Sequence, residues 1–235
     1  MQMSQSQGRI ARSFAAAHIM ELALFDLDNT LLAGDSDYSW GRFLVDKGVV
    51  DGATYEAQNQ QFYEDYKAGE LDIRAFARFS LGRLGQFEMA QLEAWRAEFV
   101  SAVVEPMIAP GARALLDQHR KAGRELVIIT ATNSFITRPI ADVLGVEHLL
   151  GTDGEIVAGR FTGEIDGIPC FQGGKIEKLQ VWLQQRPAPS ETWFYSDSIN
   201  DAPLLEWADH AFAVDPCPKL SALAKRQGWP EISLR

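Results

Sequence analysis

The chain has 235 residues, 46% of them apolar and 23% charged, the balance of a globular protein able to bury a sizeable interior. Its net charge of −10 leaves no basic patch to meet a nucleic-acid backbone or an anionic membrane, so neither is expected as a partner. Two cysteines, Cys170 and Cys217, sit in no metal-type or redox-type spacing and read as reduced thiols of a cytoplasmic protein.

Residues 1–19 contain no acids and carry Arg9 and Arg12, a superficial likeness to a transit peptide. They read as an N-terminal extension, with Met20 a natural start before the first strand. "ELALF" (21–25) is a short apolar run closed by Asp and Asn, which predicts a buried strand. The texture then changes. Segments near 36–47, 52–67, 72–83 and 87–104 carry apolar residues at spacings of three and four, and they predict helices with no strand among them.

Beyond Pro106 helices and strands alternate. A helix is expected over 111–121, with Gly123 as its stop signal, followed by a strand at 125–130 and a helix at 134–144. Residues 154–165 read as a hairpin, and "GGK" opens an amphipathic helix. A strand at 192–197, a helix at 201–207, a strand at 210–215 and a helix at 218–227 complete the chain. This order predicts a doubly wound, Rossmann-like parallel α/β sheet formed by residues 20–34 and 106–235. The all-helical stretch 35–105 is an inserted cap.

In such a sheet, ligands bind beyond the carboxyl ends of the strands. The first strand ends in Asp26-Leu27-Asp28, the second in Thr130-Ala131-Thr132, and "TWFYSD" in Asp197, with Asn200 and Asp201 just after it. Carboxylates converging in one crevice make a hard-oxygen site suited to Mg²⁺. A hydroxyl such as Thr130 and a cation such as Lys175 suit the remaining oxygens of a phosphate. "GGK" differs from a Walker-type loop, because its glycine spacing is wrong and no Ser or Thr follows the lysine.

"DLDNT", "IIT", the helix-opening "GGK" and "YSDSIND", in that order, resemble the four motifs of the haloacid dehalogenase-like phosphatase superfamily. The helical insertion resembles the cap of its phosphoserine-phosphatase-like branch. The resemblance implies Asp26 as a nucleophile forming an aspartyl-phosphate, and Asp28 as general acid and then base. It also implies Mg²⁺ held by Asp26, by Asp28 through its carbonyl and by Asp197, with Asp201 acting through water or from behind and Asn200 in support. Thr130, Ala131 and Lys175 would bind the phosphoryl group. Asp28 favours phosphate-ester cleavage over dehalogenation, because a halide leaving group needs no proton.

The leaving group is the open question. Phosphoserine phosphatases place a glutamate nine residues beyond the nucleophile for the substrate ammonium, a position that is Asp35 here; Asp37 can share that role. Asp35 also suits a helix N-cap, and the two readings coexist. Arg42, Arg74, Arg78 and Arg83 are all candidates for a carboxylate-binding arginine. Similar sequences reading "LFDLDNTLLAGDSD" are associated with histidinol phosphate, which carries an amine and no carboxylate. Histidinol phosphate is therefore the first expectation and phosphoserine or a broader set of small metabolites the second. Phosphotransfer to another alcohol and a non-catalytic binding role are the rivals from other classes. Tyr38, Trp40, Phe43, Phe62 and Tyr66 are expected mainly as the cap's own core, and the four histidines receive no role.

Overall fold

A computed structural model describes residues 20–235; the expected N-terminal extension, with His18 in it, lies outside the described residues. The first apolar run forms strand β1 (Glu21–Phe25), buried throughout after Glu21. Side chains alternate across a strand, so Ala23 and Phe25 enter one core while Leu22 and Leu24 enter the other. A strand buried on both faces must be apolar along its length, and it belongs inside a parallel sheet.

Five helical pieces follow β1: α1 (Ser36–Asp46), α2 (Gly52–Ala68), α3 (Ile73–Leu84), α4 (Met89–Phe99) and α5 (Glu105–Met107). α4 runs on through a wider-wound stretch, Val100–Val104, into α5, where Pro106 occupies the first turn. Asp72 caps α3 by accepting from the Arg74 and Ala75 amides at 3.0 Å. Trp40 and Phe43 pack against Phe99 with ring centroids 5.2 and 5.5 Å away.

Then come α6 (Ala112–Lys121), β2 (Glu125–Asn133), α7 (Ser134–Val143), β3 (His148–Val157), β4 (Arg160–Asp166) and α8 (Gly173–Leu183). β5 (Glu191–Ser196), α9 (Ala202–Trp207), β6 (His210–Val214), α10 (Pro218–Gln227) and β7 (Glu231–Ile232) finish the fold. The sheet order is β4-β3-β2-β1-β5-β6-β7, parallel except for β4. α6 and α7 cover the Phe25 face through Leu116, Ile136 and Ile140, while α8, α9 and α10 cover the Leu24 face through Leu179, Leu204 and Leu220. The fold is the expected Rossmann-like sheet with an inserted helical cap. Among the described residues, no helix is long and apolar enough to cross a membrane.

Three details differ from the sequence reading. β2 runs past Thr130 to Asn133 through an irregularity in its pairing with β3. β3 starts at His148, pairs in parallel with β2 and only then turns into the antiparallel hairpin. Gly151 and Gly154 interrupt its apolar pattern and hide one strand behind two short ones. β7 has two residues, too few for any periodicity.

His119 is a core residue, only 1% exposed, with its Nε2 2.9 Å from the Tyr195 hydroxyl. Burial, reinforced by the Arg124 guanidinium, holds its pKa down at about 4. The unfolded chain therefore binds a proton near pH 6.5 that the folded chain refuses until about pH 4. The stability from neutral His119 is complete above pH 6.5 and is lost as pH falls towards 4. Melting curves of the protein and its His119→Gln variant should converge over that window; a constant gap from pH 7 to 4 would rule His119 out as the cause.

Candidate active site

β1 delivers Asp26 to the centre of the sheet's carboxyl edge, where its amide donates to the Tyr195 carbonyl at 2.9 Å. The following residues, Leu27–Leu31, form a wide turn with Asn29 at φ 59°, a left-handed conformation that asparagine tolerates. The turn carries Thr30 back between two acids. Its Oγ1 is 3.2 Å from Asp26 Oδ2 and 3.1 Å from Asp197 Oδ1, while the Asp197 amide donates to it at 3.1 Å.

Lys175 reaches the same acids from the first turn of α8. Its ammonium donates to Asp26 Oδ1 at 2.8 Å and to Asp201 Oδ2 at 2.7 Å, and the residue is 1% exposed. Close backbone approach falls on Gly174, where a Cβ would stand 2.1 Å from the Pro169 carbonyl oxygen; Gly173 has open space. Burial opposes charge on Lys175, yet Asp201 and Asp26 together outweigh it and raise the ammonium's pKa. Asp26 is pushed up to about 7 by burial, with Lys175 pulling it down and Asp201 and Asp28 adding to the rise. Asp197 is raised for the same leading reason, and then by Asp26 and Asp201.

Asp28 is held separately. The Ser36 amide donates to its Oδ1 at 2.6 Å and the Thr132 hydroxyl to its Oδ2 at 2.7 Å. Burial, then the nearby Asp35, pushes its pKa up to about 7, so protonated and ionised forms are both accessible near neutrality. Asp35 accepts from the Tyr38 amide at 2.8 Å and caps α1. Asp37 accepts from the Asn133 side-chain amide at 3.1 Å. Burial is again the first cause that lifts both to about 7.

Asp26, Asp28, Asp35 and Asp37 open onto one pocket between the sheet edge and the cap. Asp26, Asp28, Thr130, Ala131 and Thr132 line it from the sheet edge, Asp35 and Asp37 from the start of α1. Tyr38, Phe62, Tyr63, Tyr66 and Phe76 line it from the cap. The expected aromatic set thus divides: Trp40 and Phe43 are cap core, whereas Tyr38, Phe62 and Tyr66 face the pocket. None of the four candidate arginines is among the lining residues. Arg42 pairs with Glu56 at 3.6 Å, Arg78 with Glu164 at 3.9 Å, and Arg83 lies over the Tyr55 ring.

The structure therefore brings Asp26, Thr30, Lys175, Asp197 and Asp201 into one cluster, with Asp28, Thr130 and Ala131 beside them at the pocket. Asn200 turns elsewhere, donating to the Tyr66 carbonyl at the end of α2 at 2.8 Å. Gln172, at φ 49° and ψ −123°, reaches Asn200 Oδ1 at 3.3 Å and the Gly69 carbonyl at 3.4 Å. Asn133 and the Ser36 amide were not anticipated, and Thr132 was placed at the strand end without a role. Two signals were available: Thr130 and Thr132 are two apart on a strand and share a face, and Asn directly before a helix is a strong N-cap.

The residues suit Mg²⁺. Thr30 has one hydroxyl proton for two carboxylate oxygens, so either Asp26 Oδ2 or Asp197 Oδ1 goes without it. Asp26 and Asp201 share a single buried ammonium, and Asp197 joins them only through the Thr30 hydroxyl. Among the described residues no three His, Cys, Asp or Glu side chains form a ready ligand group. Mg²⁺ needs only one or two protein carboxylates and completes its shell with water and phosphate oxygens.

A family model for haloacid dehalogenase-like hydrolases matches residues 23–206. A histidinol-phosphatase of Neisseria meningitidis is 42% identical over 91% of this chain and 99% of its own. The phosphoserine phosphatase SerB1 of Mycobacterium tuberculosis is 32% identical over 88% of this chain and 68% of its own. Among solved structures, a protein of unknown function from Bordetella pertussis superposes with TM-score 0.87 at 41% identity, covering 92% of this chain and all of the other. A phospho-aspartyl intermediate analogue of phosphoserine phosphatase shares the fold, with TM-score 0.68 at 17% identity over 92% and 94% of the two chains.

The chain belongs to the haloacid dehalogenase-like hydrolases. Within them it is a phosphoric monoester hydrolase.

Proposed function

We propose that the protein hydrolyses histidinol phosphate, with Mg²⁺, through an aspartyl-phosphate on Asp26. The observation that carries this is the pairing of buried Asp26 with Lys175 at the base of the pocket onto which Asp28 opens. The 42% identical histidinol-phosphatase, matched over 99% of its length, supports the choice of substrate. Phosphoserine is the second reading, favoured by the relative from Mycobacterium tuberculosis. The free cysteines support a cytoplasmic enzyme, and we divide it into a core of residues 20–34 and 106–235 and a cap of 35–105.

An Asp26 carboxylate oxygen attacks phosphorus while the ester oxygen leaves with the proton carried by Asp28. Asp28, now ionised, takes a proton from water as that water attacks the phosphoryl group; inorganic phosphate departs and Asp26 is restored. Thr132 and the Ser36 amide keep the Asp28 carboxyl in one orientation through both steps. The proton needed at Oδ2 can be held against Thr132 Oγ1, because a hydroxyl also accepts. Lys175 and Thr130 stabilise the charge of the transferring group by position alone. Asp26, Asp197 and the Asp28 carbonyl would hold Mg²⁺, which when bound polarises a phosphoryl oxygen.

Phosphate release should be measured with Mg²⁺ across amino-acid, amino-alcohol, sugar and nucleotide monophosphates. Histidinol phosphate should be cleaved best, and a chelator should abolish release. Efficient cleavage of sugar phosphates with neither histidinol phosphate nor phosphoserine turned over would overturn the reading.

A further inference from the structure

We infer that Asn59 of α2 reads the leaving group: its side-chain oxygen accepts the ring N–H of a nitrogen heterocycle lying against the aromatic wall of the pocket. The inference rests on the proposed reading of this pocket as a histidinol-phosphate site. It goes beyond that reading by naming the residue that recognises the ring.

α2 turns one stripe towards the pocket. Asn59, Phe62, Tyr63 and Tyr66 stand three and four residues apart and all line it, joined by Ile73 and Phe76 from α3. Asn59 puts an amide into this otherwise aromatic and aliphatic wall, and it is only 3% exposed.

Its place is prepared from α1. Asn59 Nδ2 donates to the Tyr38 carbonyl at 3.2 Å. Gly41 leaves the room, since a Cβ there would stand 2.9 Å from that Nδ2 and 2.7 Å from the Tyr55 ring. The nitrogen end is thereby tied to α1, which fixes the orientation of the amide and leaves the oxygen over. Among the described residues Oδ1 has no hydrogen-bond partner. It is nevertheless not one of the unpaired atoms sealed inside the protein, which are Ser36 Oγ and Trp40 Nε1. Oδ1 therefore reaches open space, and the space that Asn59 borders is the pocket.

An amide oxygen closed in without a donor is costly, and an apolar residue would complete the stripe at no such cost. The donor that suits this oxygen is neutral and flat. A heteroaromatic N–H satisfies it, while the ring faces meet Phe62 and Tyr63. A leaving group without an N–H strands Oδ1 as water leaves the wall. Polar sites reject analogues that lack the matching donor in this way.

The test pairs a change in substrate with a change in residue. Above about pH 8 the imidazole is neutral and carries one N–H, which methylation of either ring nitrogen removes. There, kcat/KM is measured for the parent and Asn59→Leu on histidinol phosphate, its two ring-N-methyl derivatives and 4-nitrophenyl phosphate. Methylation should lower kcat/KM of the parent at least tenfold, mainly through KM. In Asn59→Leu, histidinol phosphate should lose a similar factor, the methylation penalty should shrink at least fivefold, and 4-nitrophenyl phosphate should stay within twofold of the parent. Asn59→Ser, too short to place an acceptor at the same point, should repeat the pattern. If Asn59 only ties α1 to α2, all substrates fall together and the methylation penalty is unchanged; that result would overturn the assignment. A parent indifferent to methylation within twofold would overturn it too, with no variant needed. A parent that cleaves 4-nitrophenyl phosphate but not histidinol phosphate would instead overturn the substrate reading beneath it, and the assignment with it.

Discussion

Asp26→Asn should lose turnover by about 10⁴-fold or more while keeping its fold. The size follows from losing the group that makes the covalent bond, the kind of change that removes nearly all chemistry in enzymes with a covalent intermediate. Retention of the fold follows from the surroundings of the side chain. The amide still offers an oxygen to Lys175, whose contact at 2.8 Å is the strongest tie on Asp26. It also removes a charge that burial disfavours and that Asp201 and Asp28 repel. The melting temperature should therefore stay within a few degrees of the parent. Acid quench of the parent during turnover of a phosphate-labelled substrate should leave label on the protein, and the variant should carry none. Turnover by Asp26→Asn at the parental rate would sink the mechanism.

Lys175→Met should damage both stability and activity, and the two effects can be separated. The ammonium is buried between Asp26 and Asp201 and, among the described residues, is the only cation bonded to either. Removing one partner from a buried ion cluster typically costs about 3–5 kcal/mol, since the carboxylates left behind lose their compensation. Loss of a charge stabiliser at the transferring phosphoryl group should cost a further factor of about 10²–10³ in kcat. The double variant Lys175→Met with Asp201→Asn removes one stranded carboxylate. It should recover much of the stability and none of the rate. Recovery of the rate as well would mean that Lys175 acts only as a structural counter-ion.

Much of this arrangement was legible in the sequence because it depends on where strands end. "ELALF" can only be an interior strand, and the acids after it had to stand at the sheet's edge. The order of motifs then identified Lys175 and Asp197 with no knowledge of distance. The periodicity of 36–104 gave the inserted helices in the same way. What the sequence hid were contacts between elements far apart in the chain. Asp35 and Asp37 look equivalent in "GDSD"; the meeting of Asp37 with Asn133, 96 residues away, is not written there. Asn200 looked like support for its acidic neighbours, and its tie to the Tyr66 carbonyl depends on where α2 ends against the sheet. The division of the aromatics is of the same kind. Helical spacing says that Tyr38 and Trp40 are apolar neighbours, and packing alone decides which of them faces a cavity.

The position of β1 has a consequence for the order in which the molecule becomes competent. β1 is made early and sits mid-sheet, but its two partners begin at residues 125 and 191. During synthesis the Asp26 strand therefore waits through the whole cap and most of the core before its second edge is paired. Loop closure over such separations is slow, and Lys175, Asp197 and Asp201 all arrive in the last third of the chain. Cap helices built from local contacts can form while the ribosome is still working; the cluster of acids around Lys175 cannot. A nascent chain stalled before β5 would thus carry a folded cap over a sheet edge whose Asp26 still lacks Asp197 and Asp201.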